Sequence, residues 1–547
     1  MAGRGDIPEE VPSKVTTRCL LLMMTICAGG FLFGYDIGVI SGVLIMRDFV
    51  LRFGGSETMP GSNTWSLPDH TISVLNATLS AGTFFGALLQ APISDYIGRQ
   101  RSMIIWAVSF TVGAVIQVST DTSIPQFIVG RVFAGLGVGA LSGLCPLYLG
   151  ETAPKAIRGM MVSGYQLLII FGIALSYGIG WASHTAEYSS ASWRIPVGMQ
   201  MLWGLILIVL VTMLPESPRW NLQRGDVLKA RETMASMRGF KLIDTPEGPR
   251  GDAALEDELA EMEQFISAER EAFAGTNYFT AYLRCFSREK QLWRRTLQGM
   301  LVQTFQQLNG QNFYYYYGPV FFQSAAVSLD SYQIQFILGA VSLLATVPAL
   351  ITVEKVGRRN SLLVGSVGCA TCAFIVAFVG HFSLAPSGTP PDALTSAQKS
   401  AGGAFIAFAV IHLVFFSTFW GPVPWIYLSE SFPQSTRAKC ISLGAASNWF
   451  WNFMLSYFSP GLNSKYSTYI LLIFGSITYT AGIFVYFCLP EVKGLSLEQV
   501  DYMYESGAAN KAWTTSKWIP PIGDTNRGTL GGGRKRVVGN QIGPNNA

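Results

Sequence analysis

The chain has 547 residues, of which 50% are hydrophobic and only 13% are charged. Soluble domains carry about 25% charged residues, so this composition excludes an ordinary soluble protein, whose surface needs more charge. The formal net charge of +4 is too small to indicate a nucleic-acid-binding protein.

The first part of the chain is predicted to be a membrane domain. A helix that crosses a bilayer needs roughly 20 mainly apolar residues. Residues 1–19 are polar and are expected to form a cytoplasmic N-terminus, and 20–214 then supply six segments of spanning length. The six predicted spans are 20–44, 72–94, 102–120, 125–149, 159–183 and 194–214.

Residues 215–293 differ in composition from the spans on either side. They are rich in charge, and 255–270 carry apolar residues at helical spacing between acidic ones. We predict that this segment is an intracellular linker of amphipathic helices.

A second membrane domain is predicted at 295–489. Its six spans are 295–323, 332–353, 361–383, 402–428, 438–460 and 466–489. The tail at 490–547 is rich in Gly, Pro, Asn and basic residues, so we expect it to be cytoplasmic and largely disordered beyond about Tyr504. Because Lys and Arg are concentrated in the loops on the linker side, both termini are predicted to be cytoplasmic.

Three short motifs occur in each membrane domain in the same order. Residues 95–102, 151–158 and 215–217 recur as 354–361, 430–437 and 490–492. The repeats predict an all-α membrane protein with twelve transmembrane helices in two pseudo-symmetric halves. In transporters built from such repeats, the solute binds near the bilayer midplane between the halves, whose rocking exposes it to each side in turn.

Acidic and basic residues occupy matching places in these motifs. They are Asp95, Arg99, Glu151 and Arg158 in the first half and Glu354, Arg358, Glu430 and Arg437 in the second. We predict that they form inter-helix salt bridges that hold the cytoplasmic side closed and break when it opens. The alternative is that these charges only set the topology.

Two ionisable residues lie inside predicted spans, where charge is costly and usually functional or paired. Asp36 lies in the first span and Arg131 in the fourth. We predict that they pair, and that protonation of Asp36 weakens the pair and permits a conformational change. The alternative is a static ion pair that fixes helix packing.

Amide side chains are concentrated in the seventh span. Gln306, Gln307, Asn309, Gln311 and Asn312 lie on adjoining helical turns. Amides both donate and accept hydrogen bonds, so a cluster of them in an apolar segment indicates a polyhydroxyl ligand. Amides from other spans are expected to complete the site: Gln166, Asn448 and Asn452.

The tenth span carries a Pro-x-Pro sequence before an aromatic residue. Pro422 and Pro424 remove helical hydrogen bonds and are expected to break the helix beside the site. Trp425 is expected to stack on a sugar ring, although an interfacial anchor is the alternative. Tyr316 and Tyr317 lie where an outer gate is expected to close.

Motifs for catalysis are absent from the sequence. There is no HExxH, no GxSxG and no Walker loop, so neither an enzyme nor an ATP-driven pump is predicted, and no cofactor or metal is expected. Most of the eight cysteines lie in or beside apolar spans, which does not indicate a disulfide framework.

Together these motifs resemble the sugar porter family of the major facilitator superfamily, and within it the fungal hexose transporters. The resemblance covers roughly residues 20–505. It rests on GYD at 34–36, GRQR at 98–101, GRVFAGLGVG at 130–139, ETAP at 151–154, PESPRW at 215–220, QQLNGQN at 306–312, VGRR at 356–359, GPVPW at 421–425 and PEVKG at 490–494.

The resemblance implies roles for individual residues. It implies sugar contacts at Gln166, Gln306, Gln307, Asn312, Trp425 and Asn448. It also implies an extracellular gate at Tyr316 and Tyr317 and a proton-coupling pair at Asp36 and Arg131. The chain departs from the family pattern at Ser342, where Asn is frequent, in the PEVKG ending, and at Trp420, where some passive members have an acid.

We therefore expect a monomeric plasma-membrane protein that transports a hexose, with glucose as the first candidate, by proton-coupled symport. A facilitated-diffusion uniporter and a transporter-like sugar sensor are the alternatives. The expected partners are a small sugar, a proton and the lipid bilayer, without nucleic acid.

Overall fold

The computed structural model describes residues 17–57, 65–152, 158–186, 188–239, 242–245, 248–251, 253–273, 278–324, 330–384, 395–433, 436–495 and 497–518. Six long helices form the N-terminal half, as the apolar segments predict. With one short helix after the first, they are α1 (Thr17–Val43), α2 (Arg47–Arg52), α3 (Asp69–Ile97), α4 (Arg99–Ser119), α5 (Ile124–Thr152), α6 (Arg158–Ser183) and α7 (Ala191–Thr212). A short antiparallel pair, β1 (Ser56–Glu57) and β2 (Trp65–Ser66), follows α2.

The linker contains the helices that its periodicity predicts and one element that it does not. The helices are α8 (Pro218–Gln223), α9 (Val227–Arg238), α10 (Ala253–Phe273) and α11 (Tyr278–Arg284). Between α9 and α10, the strands β3 (Ile243–Thr245) and β4 (Gly248–Arg250) pair as an antiparallel hairpin. Leu255 and Leu259 of α10 pack against Ala230 and Met234 of α9, so the linker has a small core of its own.

The C-terminal half repeats the six-span pattern with two interruptions. Its helices are α12 (Leu292–Gln307), α13 (Gln311–Ser324), α14 (Ser331–Val356), α15 (Arg358–Phe382), α16 (Ser396–Phe415), α17 (Val423–Glu430), α18 (Arg437–Tyr466) and α19 (Ile470–Cys488). The seventh span is therefore not one helix, because α12 ends at Gln307 and Gly310 adopts a φ of 93° before α13. The tenth span is divided by a π-helix at Phe416–Trp420.

Ten segments of the described chain are long and apolar enough to cross a membrane. One of them, Lys439–Cys488, contains both α18 and α19. The broken pair α12 and α13 supplies another span, although each helix is too short to be counted alone. With these two corrections the structure agrees with the predicted twelve spans.

The two halves meet along two pairs of helices, α3 against α18 and α6 against α14. The buried core is continuous across this interface, where the Trp449 indole donates to the Ser142 hydroxyl at 3.0 Å. This arrangement places α5, α12, α13 and α18 around the centre of the molecule.

The tail is ordered further than the sequence predicts. Helix α20 (Leu497–Glu505) is followed by a 3-10 segment at Ala508–Lys517, and Ala509 and Ala512 are buried against the C-terminal half. The expectation of disorder beyond Tyr504 is therefore wrong as far as Trp518. Residues 519–547 lie outside the described residues.

Candidate functional site

The two predicted intramembrane charges lie in contact. Arg131 Nη1 donates to Asp36 Oδ1 at 3.1 Å, and both side chains are at most 1% exposed. Gln200 of α7 donates to the same oxygen at 2.9 Å, and Arg131 Nε donates to the Leu75 carbonyl at 3.2 Å. The pair thus joins α1, α3, α5 and α7 at the centre of the N-terminal half.

The pair is not completely satisfied. Asp36 Oδ2, Arg131 Nη2 and Gln200 Oε1 are buried and have no hydrogen-bond partner among the described residues. An ionised carboxylate accepts several hydrogen bonds when it can, and a buried charge with too few partners is costly. The bare Oδ2 of Asp36 is therefore a position where a proton can be added without breaking a hydrogen bond.

Five of the predicted amides of the seventh and eleventh spans form one network. Gln307 Nε2 donates to Asn448 Oδ1 at 2.7 Å, and Gln307 Oε1 accepts from Asn452 at 2.9 Å and from Asn312. Asn448 Nδ2 in turn donates to Gln306 Oε1 at 2.7 Å and to Gln303 Oε1 at 2.8 Å. These amides from α12, α13 and α18 converge on one small region.

Gln306 connects this network to the interrupted tenth span. Its Nε2 donates to the carbonyl oxygens of Trp420 at 3.1 Å and Gly421 at 2.8 Å, which lie at the end of the π-helix. Gln166 of the other half reaches the same place, since a Cβ built on Gly421 would lie 3.5 Å from Gln166 Nε2. Pro422 and Pro424 follow at the start of α17.

Tyr316 links the amide network to the buried ion pair. Its hydroxyl donates to Asn452 Oδ1 at 3.2 Å, and its phenol lies within electrostatic reach of both Asp36 and Arg131. Asn452 also accepts from Ser80 of the N-terminal half at 2.7 Å. Hydrogen bonds therefore run from Tyr316 through Asn452 to the C-terminal amides, and the N-terminal ion pair acts on Tyr316 electrostatically.

Direct contacts close the side of the molecule that faces away from the linker. Tyr317 donates to the Ser456 carbonyl at 2.5 Å. Across the halves, Tyr332 donates to the Gly42 carbonyl at 3.3 Å and Gln335 donates to the Ser41 hydroxyl at 2.8 Å. Tyr316 and Tyr317 thus lie buried on the closed side of the amide network.

On the linker side, a cavity of about 320 Å³ lies between the halves. It is lined by Gln90, Ser94 and Glu151 from the N-terminal half and by Trp425 and Ser442 from the C-terminal half. Trp425 therefore faces the cavity rather than joining the amide hydrogen bonds. The structure is therefore closed on the side opposite the linker and has a cavity on the linker side.

Salt bridges among the charged residues of the repeated motifs form within each half and centre on Arg99 and Arg358. Arg99 pairs with Asp95 and with both oxygens of Glu151, each at 3.2 Å. Arg358 pairs in the same way with Glu354 at 2.8 Å and Glu430 at 2.7 Å. Arg437 lines the cavity, and Arg158 begins α6, but the Arg158 side chain lies outside the described residues.

The third repeated motif supplies a carboxylate cap in each half. Glu216 accepts from the backbone N–H groups of Arg99 and Gln100, and Glu491 accepts from those of Arg358 and Arg359. Carboxylates are favourable at a helix N-terminus, here those of α4 and α15. Burial raises the pKa of Glu216, although these N–H groups and Arg99 act in the opposite direction.

A glycine makes each carboxylate cap possible. Gly98 and Gly357 precede α4 and α15 with φ values of 101° and 94°. A Cβ at either position would lie 2.3 Å from Glu216 Oε2 or 2.5 Å from Glu491 Oε2. The repeated sequences therefore encode the same helix start twice.

Comparison with known proteins identifies the chain. The family described as "Sugar (and other) transporter" matches residues 22–504. The chain belongs to this family. The protein is therefore a sugar transporter of the major facilitator superfamily, with many apolar helices that cross the membrane.

This sugar transporter is similar to curated yeast proteins along almost its whole length. It is 34% identical to the galactose transporter of Saccharomyces cerevisiae over 522 residues, which cover 95% of this chain and 87% of the relative. It is also 34% identical to the low-affinity glucose transporter of Kluyveromyces lactis, over 94% of this chain and 86% of the relative. These relatives are named as transporters and not as enzymes.

Solved structures support the fold. The proton:xylose symporter XylE bound to 6-bromo-6-deoxy-D-glucose superposes with a TM-score of 0.72 and 25% identity, covering 90% of this chain and 100% of XylE. A partially occluded inward-open form of XylE from E. coli gives a TM-score of 0.69 at 24% identity, covering 88% of this chain and 100% of that one.

Sequence reasoning missed several polar residues of the sugar transporter. Gln200, the third member of the ion-pair cluster, is a single amide in the apolar helix α7, and Gln303 lies one turn before the predicted amides. In each case, the available signal is a polar residue in a span, which alone does not distinguish a ligand contact from helix packing.

A second polar cluster lies beside the amides and was also missed in part. The Tyr315 phenol faces the side chains of Gln311, Ser342 and Ser417, from α13, α14 and the π-helix. The polar side-chain atoms of these four residues are buried and make no hydrogen bond of normal geometry to a described residue. A buried polar group without a hydrogen bond lowers the folding stability by about 1–3 kcal/mol. This cluster is therefore suited to bind a ligand that carries hydroxyl groups. Ser342 thus lies in a polar environment although it replaces the frequent Asn.

Proposed function

We propose that the protein carries a hexose, with glucose as the first candidate, across the plasma membrane by alternating access coupled to a proton. The observation that carries this proposal is the hydrogen-bonded path from Tyr316 through Asn452 to Gln307, together with the electrostatic interaction between Tyr316 and Asp36. A change in the charge of Asp36 changes the electrostatic potential at Tyr316. Asn452, the hydrogen-bond partner of Tyr316, also orients Gln307 of the proposed sugar site.

The amide network favours a polyhydroxyl ligand. Gln306, Gln307 and Asn448 hydrogen-bond to one another in this structure. A sugar hydroxyl can replace each of these hydrogen bonds, because it both donates and accepts. Gln166 and Asn312 complete the proposed contacts, and Trp425 offers its ring from the cavity side. The names of the yeast relatives favour a hexose.

The proposed gates lie on opposite sides of this site. Tyr316 and Tyr317 are proposed to open the outer side when their bonds to Asn452 and Ser456 break. The arginine-centred bridges at Arg99 and Arg358 hold the linker ends of the helices together within each half. We propose that the linker side is cytoplasmic and carries both termini, and that the monomer is the transporting unit.

Facilitated diffusion is the second candidate. The Asp36–Arg131 pair is completely buried and hydrogen-bonded to α3 and α7, as a static structural pair would be. The names of the yeast glucose and galactose transporters mention no coupling ion.

Sugar uptake by a yeast host that lacks its own hexose carriers separates these candidates. We expect saturable uptake of radiolabelled glucose and accumulation against its gradient, which a protonophore abolishes. Asn448→Ala is expected to raise KM, because the substitution removes a donor and an acceptor that serve three amides. Absence of uptake of any hexose would contradict sugar transport. Uptake that only equilibrates and ignores the protonophore would replace symport by uniport.

A further inference from the structure

Two cysteines come together where the linker meets the membrane domain. Cys285 directly follows α11, and Cys440 is the fourth residue of α18, yet their thiols are in hydrogen-bond contact. Both are at most 1% exposed and lie in one apolar cluster with Leu292, Leu428 and Phe432. They lie 155 positions apart in the sequence, so only the tertiary fold brings them together.

The hydroxyl of Thr296 closes a ring of hydrogen bonds around the pair. Thr296 Oγ1 donates to the Cys285 carbonyl at 2.8 Å and lies 3.6 Å from Cys440 Sγ. The hydrogen bond between the two thiols and burial both raise the pKa of Cys285. Thr296 thus contacts both cysteines, Cys285 at its carbonyl and Cys440 at its sulfur.

Positively charged side chains lie near both cysteines. Arg295 and the first turn of α18 lie beside it, and Lys439 lies beside its partner Cys285. Cationic side chains and a helix N-terminus both favour a thiolate, which is the form that reacts, whereas burial among apolar residues acts in the opposite direction. When Cys440 loses its proton, the Thr296 hydroxyl needs only to rotate its hydrogen from the Cys285 carbonyl toward sulfur.

The pair also lies where a cross-link would restrict movement of the linker relative to α18. Helix α11 is held on α18 by the hydrogen bond from the Tyr282 hydroxyl to the Ser442 hydroxyl, at 3.3 Å. Lys439 and Ile441, on either side of Cys440, line the cavity between the halves, as does Leu428 of α17. A covalent bond here would fix the linker to the wall of the cavity.

We propose that Cys285 and Cys440 form a reversible disulfide when a hydroperoxide oxidises them, and that this bond slows transport by tying the linker to α18. The Cys440 thiolate attacks a peroxide oxygen, which gives a sulfenic acid and, after protonation, one molecule of water or alcohol. The Cys285 sulfur then attacks the sulfenic sulfur, so that the S–S bond forms and a second molecule, water, leaves. A cellular dithiol restores both thiols and is itself oxidised to a disulfide.

Mass spectrometry of the full-length protein in lipid nanodiscs tests the bond directly. After treatment with hydrogen peroxide and alkylation of remaining thiols, we expect a linked peptide pair containing Cys285 and Cys440, which dithiothreitol separates. The pair is expected to be absent from Cys285→Ser and Cys440→Ala and present in Cys488→Ser, whose thiol is the half-buried control. Absence of the linked pair at peroxide levels that oxidise Cys488 would overturn the proposal.

Transport measured on the same samples tests the consequence, which rests on the proposed function. In proteoliposomes, peroxide is expected to lower the rate of glucose uptake several-fold in the wild type, with recovery in dithiothreitol, and to leave Cys285→Ser unchanged. Equal inhibition of wild type and Cys285→Ser, or a linked pair without any loss of rate, would refute control by this bond. If neither the reduced nor the oxidised protein takes up sugar, the proposed function fails, while the linked peptide still decides whether the disulfide forms.

Discussion

The Ser80 hydroxyl of α3 donates a hydrogen bond of 2.7 Å to the Asn452 side chain of α18, which joins the two halves of the transporter. The same Asn452 also binds Gln307 and Tyr316. One side chain therefore takes part in closing the outer side, in the amide network and in the link toward the ion pair.

Replacement of Ser80 by alanine is expected to open the outer side more often. The lost hydrogen bond contributes about 0.5–1.5 kcal/mol to the closed state. Spin labels on the exposed residues His70 and Lys465, on opposite halves, are expected to report a larger long-distance population. Ser109→Ala removes a bond to Phe133 within one half and serves as the control. Identical distance distributions in both variants would contradict a closing role for Ser80.

Replacement of Asp36 by asparagine is expected to abolish uphill accumulation and to retain sugar exchange. Asparagine keeps an acceptor for Gln200 but cannot bind and release a proton. Counterflow and accumulation assays in the same vesicles separate the two activities. Removal of one partner of a buried ion pair costs about 3–5 kcal/mol, so the melting temperature is expected to fall. Asp36→Asn with Arg131→Gln is expected to recover part of that stability, and full accumulation by Asp36→Asn would exclude the proton role.

Substitution of Gly357 by alanine is expected to destabilise the C-terminal half beyond the cost of backbone strain. The new methyl group meets the Glu491 carboxylate that caps α15. Gly494→Ala controls for a positive φ alone, since Gly494 has a φ of 71° and nothing lies within 4 Å of its Cβ position. Thermal denaturation followed by size-exclusion chromatography compares them. An equal loss of melting temperature would show that the cap adds nothing.

Substitution of Tyr315 by phenylalanine separates ligand binding from stability. Among the described residues, the Tyr315 hydroxyl lies near Gln311, Ser342 and Ser417 but makes no hydrogen bond of normal geometry, so its loss is expected to change the melting temperature little. If a sugar hydroxyl occupies the cluster with Ser342 and Ser417, KM for hexose rises at the same time. Unchanged KM in Tyr315→Phe and Ser417→Ala would exclude this cluster from sugar recognition.

The positions of the spans follow from sequence because apolar length is a strong local signal. The break in the seventh span does not, since the residues around Gly310 remain compatible with a continuous helix until the φ of 93° is known. The tenth span begins at Ser396, earlier than predicted, because Thr395 and Gln398 form a capping box outside the apolar core of the helix. In the tail, Ala509 and Ala512 are too small to mark a buried face.

The residues of the candidate site are also predictable from sequence, whereas their individual contacts are not. Asp36, Arg131 and the amides of α12 are conspicuous because such residues are rare in spans, and their mutual contacts follow from the fold. Which amide orients which depends on the rotation of α12 against α18, and that is set by packing far from the site. The charged motifs predict salt bridges, but only the structure assigns Glu216 and Glu491 to helix caps.

The break at Gly310 divides the seventh span into two helices, α12 and α13, with different functional residues. The amides Gln303, Gln306 and Gln307 belong to α12, which Arg295 anchors to Ser431 and Asp501 on the linker side. The tyrosines belong to α13, a segment of 14 residues, or about 21 Å of helix. Helix α13 can therefore move at the outer side while α12, which carries the amides of the proposed sugar site, stays in place. Opening of the outer side then does not require the amide network on α12 to be broken.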